Sequence, residues 1–203
     1  MDQAHLFEIR GGSLIRICGL TEDLAREYAD QLVLLHNDIP FQHWTVADLL
    51  ATHDSTRQYR GKWEISRLAL DQEGEAIGFC IGFELPPDNV TYHRPGIYMH
   101  RLSVHPKYRK QFVGALLQAE ASVVCFDRGL RYIGPTAEDV VLYGQTNDVP
   151  ENAHMLAFYR DAGFEPIGHK PYADRVDVVM QMTRQSFAES RHASLRRATL
   201  VVE

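Results

Sequence analysis

Hydrophobic residues recur along this chain at two spacings, and the switches between them divide it into strands and helices. Residues 13–19 read as a short strand, with Leu14, Ile15, Ile17 and Cys18 among polar neighbours up to Gly19. From Thr21 the period lengthens. Leu24, Tyr28, Leu32 and Leu35 make one helical stripe, Thr21 can cap it, and Glu22 and Asp23 suit its positive end. A second helix is read around 45–59. Residues 63–70 and 76–85 are β-rich runs joined by a Gly-containing turn, which predicts an antiparallel hairpin. Pro86 and Pro87 end it, a turn-rich loop covers 86–96, and 97–104 forms the next strand, stopped by His105-Pro106.

Apolar positions 112, 113, 116, 117, 123 and 124, followed by Gly129, predict a helix over 112–128. Residues 140–143 read as a buried strand. Asp148-x-x-Glu151 with Pro150 resembles a capping box and opens a helix that stops at Gly163. Residues 164–170 and 175–182 make a final strand pair, and no internal repeat is present. The order β-α-α-β-β-β-α-β-α-β-β predicts an α/β (α+β) fold, a mixed sheet covered by helices in one domain over 1–183. Residues 184–203, rich in Arg, Ser and Ala, are a disordered tail or an interaction segment. Within them, 198–203 could supply the strand of a homodimer.

At 203 residues, 45% hydrophobic and 24% charged, the chain can bury a core without disulfides and is neither disordered nor a disulfide scaffold. A net charge of -6 argues against a general nucleic-acid binder and leans towards a cationic small substrate. Cys18, Cys80 and Cys125 have no close spacing, so reduced buried thiols are expected, and the dispersed histidines predict no metal site. The first residues lack a leader pattern and no apolar run reaches the roughly 18 residues of a membrane span. The expected location is the cytoplasm, with no membrane partner.

Candidate chemistry concentrates after the strand at 97–104. Arg109 and Lys110 stand beside the free N–H groups of a helix start, where the dipole is positive, and Gly114 and Ala115 let a phosphate approach the backbone. This stretch resembles the GNAT superfamily of acetyl-CoA-dependent N-acetyltransferases, whose phosphate-binding motif is Arg/Gln-x-x-Gly-x-Gly/Ala after a strand. The run from Arg109 to Gly114 matches at its first and last positions and departs at Phe112, where the family usually has Gly. A later segment is similar to the family's Asn-x-x-Ala-x-x-Phe-Tyr-x-x-x-Gly-Phe: Asn152, Phe158, Tyr159, Gly163 and Phe164 match, with Met155 in the Ala place.

The resemblance implies a GNAT-type, mostly antiparallel central sheet flanked by helices, with acetyl-CoA as acyl donor. It implies that Leu102, Ser103 and Val104 offer backbone groups to the pantetheine arm, like an added strand. Arg109, Lys110, Gln111 and Phe112, then Val113, Gly114 and Ala115, would surround the pyrophosphate. Asn152 and Phe158 would line the arm and its thiol end. Tyr159 matches the family's general acid for the leaving thiolate, although it also reads as a core residue of its helix. Alternation along 97–104 puts Tyr98 and His100 on one face and Met99 and Arg101 on the other. In the arylalkylamine branch two histidines at matching positions deprotonate the amine, which makes His100 the candidate base and Tyr98 its neighbour at the substrate. Glu64 and Glu84 on the hairpin, and Asp88 and His93 in the following loop, are further candidate substrate contacts.

Three functions fit these residues. The first is acetyl transfer to a primary amine of a small molecule, favoured because 45–62 and 86–96 are long enough to wall in such an acceptor. The second is the same transfer to a protein or peptide amine. The third, prompted by Phe112, is a module that binds an acyl-CoA without turnover.

Overall fold

The computed structural model describes residues 4–38, 43–55, 57–85, 95–131 and 140–201. Among these, nine strands form one sheet: β1 (His5–Glu8), β2 (Leu14–Gly19), β3 (Arg67–Leu70), β4 (Ala76–Leu85), β5 (Gly96–Val104), β6 (Val141–Asn147), β7 (Glu165–Pro171), β8 (Val176–Thr183) and β9 (Leu200–Val201). Their order is β7-β8-β6-β5-β4-β3-β2-β1-β9. Neighbours run antiparallel except for β5 and β6, which are parallel. The mixed, mostly antiparallel sheet expected from the sequence is therefore present.

Helices cover both faces because β4 presents apolar side chains to each. On one side Phe79 and Ile81 pack with Leu32 and Leu35 of α2 (Ala29–Asn37) and Leu49 of α3 (Val46–Leu50), below α1 (Glu22–Glu27). On the other side Ile77 and Cys80 meet Leu116, Leu117 and Cys125 of α5 (Val113–Arg128). Burying each such large aliphatic side chain contributes about 1.5–3 kcal/mol. Burial also pushes the Cys80 and Cys125 thiols up to about 12, and no disulfide forms among the described residues.

Several elements differ from the sequence reading, each for a local reason. Thr21 caps α1 through the Leu24 N–H at 3.2 Å, but Tyr28 (φ -97°, ψ 13°) breaks the helix in two. The helix read over 45–59 shortens to α3. Thr45 and Asp48 start it with a capping box, and Ala51 turns extended. The Lys62 ammonium then takes the carbonyls of Leu49 and Ala51 at the end of α3, at 2.6 and 2.7 Å. Gly61, at φ 69°, opens the single turn α4 (Lys62–Ile65) where a strand was expected, so β3 begins only at Arg67. The expected capping box at 148–151 does not form. Pro150–Asn152 make one 3-10 turn, and α6 (Ala153–Asp161) starts without a side-chain cap.

The strand β1 was not foreseen, and it explains the end of the chain. After α7 (Arg184–Ala188) and α8 (Arg191–Thr199), β9 pairs with β1 at Leu6↔Val201 and Phe7↔Leu200. His192 hydrogen-bonds Gln118 of α5 at 2.8 Å, and Glu120 takes both His5, at 2.8 Å, and Arg196. Residues 184–201 thus pack against the sheet and helix of their own chain, and the strand offered for a homodimer is used internally. No helix among the described residues is long and apolar enough to cross a membrane.

Two buried imidazoles make this fold acid-sensitive. His36 is fully buried and stacks on Trp44 at 4.1 Å. Burial, with Arg101 nearby, pushes it from 6.5 down to about 4, and burial brings His192 to about 4 as well. Both folded values lie below the unfolded 6.5, so the unfolded chain takes up protons first as pH falls. The stabilisation is complete above 6.5 and is lost on the way down to 4. Between pH 7 and 5 the unfolding free energy should fall by about 2 kcal/mol per imidazole. Urea denaturation at the two pH values checks this. His36→Phe, which keeps a ring against Trp44, should remove about 2 kcal/mol of the fall, and equal stability at both pH values would contradict it.

Candidate active site

The site begins where two parallel strands part. β5 and β6 pair only at Ile97↔Leu142 and Tyr98↔Tyr143. Beyond that point β5 stays on β4 as far as Val104, while β6 follows β8 to Asn147. The edge of β5 from Met99 to Val104 therefore has no strand partner on that side among the described residues, and it borders a cleft. The first turn of α5 and the helix α6 close in on it. A carbon at the Cβ position of Gly114 would lie 3.5 Å from Val104, 3.7 Å from Leu102 and 3.8 Å from Phe158. Four residues proposed for the cofactor from sequence are thus brought together.

The start of α5 has the form of an anion cradle. The N–H groups of Val113, Gly114 and Ala115 open the helix and have no carbonyl a turn earlier to bond. Lys110 (φ 62°) and Phe112 (φ 75°) are both left-handed. Phe112 thus stands at a position whose backbone suits glycine, and a phenylalanine there carries strain of order 1–2 kcal/mol. Its ring is 40% exposed, with the Arg10 guanidinium 5.7 Å from its centre. The neighbouring side chains are turned elsewhere. Arg109 donates to the Val104 carbonyl at 3.1 Å and pairs with Asp38, Gln111 donates to the Lys107 carbonyl at 2.7 Å, and the Val113 side chain is in the core. The Ser103 hydroxyl is buried without a hydrogen-bond partner among the described residues.

Tyr159 is set by a glycine facing it. A Cβ on Gly144 of β6 would come within 2.6 Å of the Tyr159 ring, so the ring fits only because none is there. Gly163, at φ 96°, ends α6 and folds Phe164 back under Tyr159, edge-on at 5.1 Å. The phenol oxygen accepts the Gln145 backbone N–H, which leaves its own proton free to be donated, and burial pushes the phenol well above 10. Asn152 precedes α6, half-buried, with no capping bond.

On the opposite face lies a cavity of about 400 Å³ lined by the aromatic rings of Trp44 and Tyr59, by His100, and by the charged groups of Asp48, Asp54, Arg57, Lys62 and Arg101. A β-bulge builds it. The register passes from Ile81↔Arg101 to Gly82↔Met99, leaving His100 unpaired. Strict alternation would send Arg101 to the far face, but across the bulge both His100 and Arg101 line the same cavity. His100 sits among the rings of Phe83 (5.3 Å), Tyr98 (5.7 Å), Tyr59 (5.9 Å) and Trp44 (6.2 Å). Its Nδ1 is buried with no hydrogen-bond partner among the described residues. Burial pushes the imidazole well below 6.5, and Arg101, Arg57 and Lys62 add to the effect. At neutral pH His100 is therefore uncharged.

Other sequence candidates fall elsewhere. Glu84 accepts from Arg128 at 2.7 Å and from the Arg131 backbone at 3.0 Å, and Glu64 takes Arg128 at 2.8 Å. The two carboxylates tie α4 and β4 to the end of α5 and line no part of the cavity. Asp88 and His93 lie outside the described residues. Sequence reasoning missed Trp44, Arg57, Tyr59 and Lys62, whose only signal was a cluster of aromatic and basic residues in an unpatterned segment.

Residues 28–164, more than half of the chain, match the model of the Acetyltransferase (GNAT) family. The chain belongs to that family. It is accordingly an acetyltransferase by descent, with acetyl-CoA as its donor. No curated protein matches this GNAT chain in sequence. Its fold is similar to that of the NatC complex bound to Gag peptide and CoA (TM-score 0.60, 17% identity, covering 83% of this chain and 98% of that one). It is likewise similar to Arabidopsis thaliana NAA60 in complex with acetyl-CoA (TM-score 0.57, 15% identity, 83% and 99% covered). A third is Chaetomium thermophilum Naa20 in complex with a bisubstrate analogue (TM-score 0.58, 15% identity, 80% and 85% covered).

Proposed function

We propose that this GNAT protein moves the acetyl group of acetyl-CoA to a primary amine of a small molecule, by direct attack in a ternary complex. The observation that carries this reading is the cavity of about 400 Å³ lined by His100 and Arg101 of β5, the strand whose edge borders the cleft. Its size falls within the range of small-ligand sites. The residues suit the donor. The N–H groups of Val113, Gly114 and Ala115, with Lys110 beside them, would hold its pyrophosphate. The edge of Leu102, Ser103 and Val104 would take the pantetheine arm, bordered by Asn152 and Phe158.

When bound, the donor supplies a thioester carbonyl and a sulfur that must leave. Tyr159 gives its phenol proton to that sulfur as the carbon–sulfur bond breaks. His100 accepts the proton that the amine nitrogen sheds as it bonds to the carbonyl carbon. Arg57, Lys62 and Arg101 help, because a cationic wall disfavours the ammonium form of the acceptor.

Mass spectrometry of a competition tests the acceptor class. Acetyl-CoA is offered with an equimolar mixture of small primary amines, N-terminal peptides and lysine peptides. Acetylation of the small amines first is expected. Acetylation confined to the peptides would replace this acceptor with a protein.

A further inference from the structure

The charged groups around the cavity are satisfied, with one exception. Asp48 accepts the backbone N–H and the hydroxyl of Thr45, both at 2.7 Å. Asp54 accepts the Tyr59 hydroxyl at 3.0 Å and Arg57 at 3.2 Å. Lys62 rests on the two carbonyls at the end of α3. Arg101 has no carboxylate within ion-pairing reach among the described residues, and no pair of carbonyls covers it as it covers Lys62. One of its terminal nitrogens donates to the His100 carbonyl at 3.0 Å, and its Nε is buried without a hydrogen-bond partner among those residues. Its guanidinium stands 5.7 Å from the centre of the Trp44 ring. A half-buried guanidinium without a counter-charge is a strong binder for an anion that reaches it.

We infer that the acceptor amine carries a carboxylate and that Arg101 is the residue that binds it; this rests on the acceptor reading above. An amino acid or a related amino carboxylate is the class that fits. The bulge places Arg101 and His100 side by side, one for the carboxylate and one for the proton of the neighbouring amine. The cavity has three cations against two carboxylates, Asp48 and Asp54. That balance suits a single negative charge better than a phosphate dianion. The planar fork of arginine is likewise matched to a carboxylate. The overall net charge of -6 points the other way, towards a cationic acceptor, but inside the cavity the charges that line it outweigh distant surface charges that solvent screens.

The test uses the full chain and matched acceptors that differ in one group. Each of a set of amino acids is compared with its own carboxamide by acetyl-CoA-dependent thiol release. Wild type should favour the acid at least tenfold in kcat/KM, chiefly through KM. In Arg101→Gln that ratio should collapse towards one, and Arg101→Lys should restore part of it. Equal use of acids and amides by wild type, or a preference that survives Arg101→Gln, would overturn the inference while leaving acetyl transfer standing. A second readout needs no turnover: tryptophan fluorescence titrated with N-acetyl amino acids and their amides. Binding of the acids alone, lost in Arg101→Gln, would support the carboxylate site even if no amine were acetylated, an outcome that would sink the transfer reading. A circular dichroism melt of each variant confirms that it is folded.

Discussion

Tyr159→Phe is expected to lower kcat by about 100-fold or more, with the KM for acetyl-CoA changed only a few-fold. The substitution removes one oxygen and keeps the ring, so the fit over Gly144 and the edge contact with Phe164 survive. What disappears is the proton that the Gln145 N–H leaves free to be donated. A thiol has an ordinary value near 8.5, so a sulfur leaving without a proton is tolerable at alkaline pH and costly at neutral pH. The defect should therefore be larger at pH 7 than at pH 9. A loss of 100-fold is the low end for removing a general acid. Unchanged turnover would assign the proton to another donor and return Tyr159 to a packing role.

The second large effect concerns stability. Arg128→Ala is expected to cost about 3–5 kcal/mol of unfolding free energy, because it removes the guanidinium 2.7 Å from a fully buried Glu84 carboxylate. The Arg131 backbone N–H at 3.0 Å remains, and it does not cancel a charge. Glu64, about one-third exposed, can turn to water and should contribute little. Urea denaturation measures the loss. Glu84→Gln combined with Arg128→Met should recover much of it, since no charge is then stranded. If instead Arg128→Ala left stability intact and raised the KM for the amine, Glu64 and Glu84 would belong to the acceptor site after all.

The sheet and the proposed cofactor cleft were legible because each left a periodic or spaced mark. The β4 hairpin, the strand at 97–104 and the helix to Gly129 follow hydrophobic period. The matches at Arg109, Gly114, Asn152, Phe158 and Tyr159 follow fixed offsets that a tight loop and a single helix impose. The acceptor side left no such mark. Its walls come from residues 44–62, where one short capped helix, a bridge at His53↔Gln58 and the turn at Gly61 replace any sustained period. Arg101 was assigned to the wrong face because a bulge between two strands depends on both of them, and neither strand's own alternation records it. The four-residue β1 was too short to show, and with it the reason why residues 184–201 are ordered: β9 completes an edge that nothing in the tail itself announces.

Steady-state thiol release from acetyl-CoA at pH 7, with and without an amine panel, tests the central claim most directly. The account predicts negligible release without amine and saturable release with a small primary amine, rising with amine concentration at fixed acetyl-CoA. Release at the same rate without any amine would contradict direct attack in a ternary complex. Acetyl-CoA that binds tightly but is never consumed, whatever amine is offered, would contradict the enzyme itself and leave a module that only holds the cofactor.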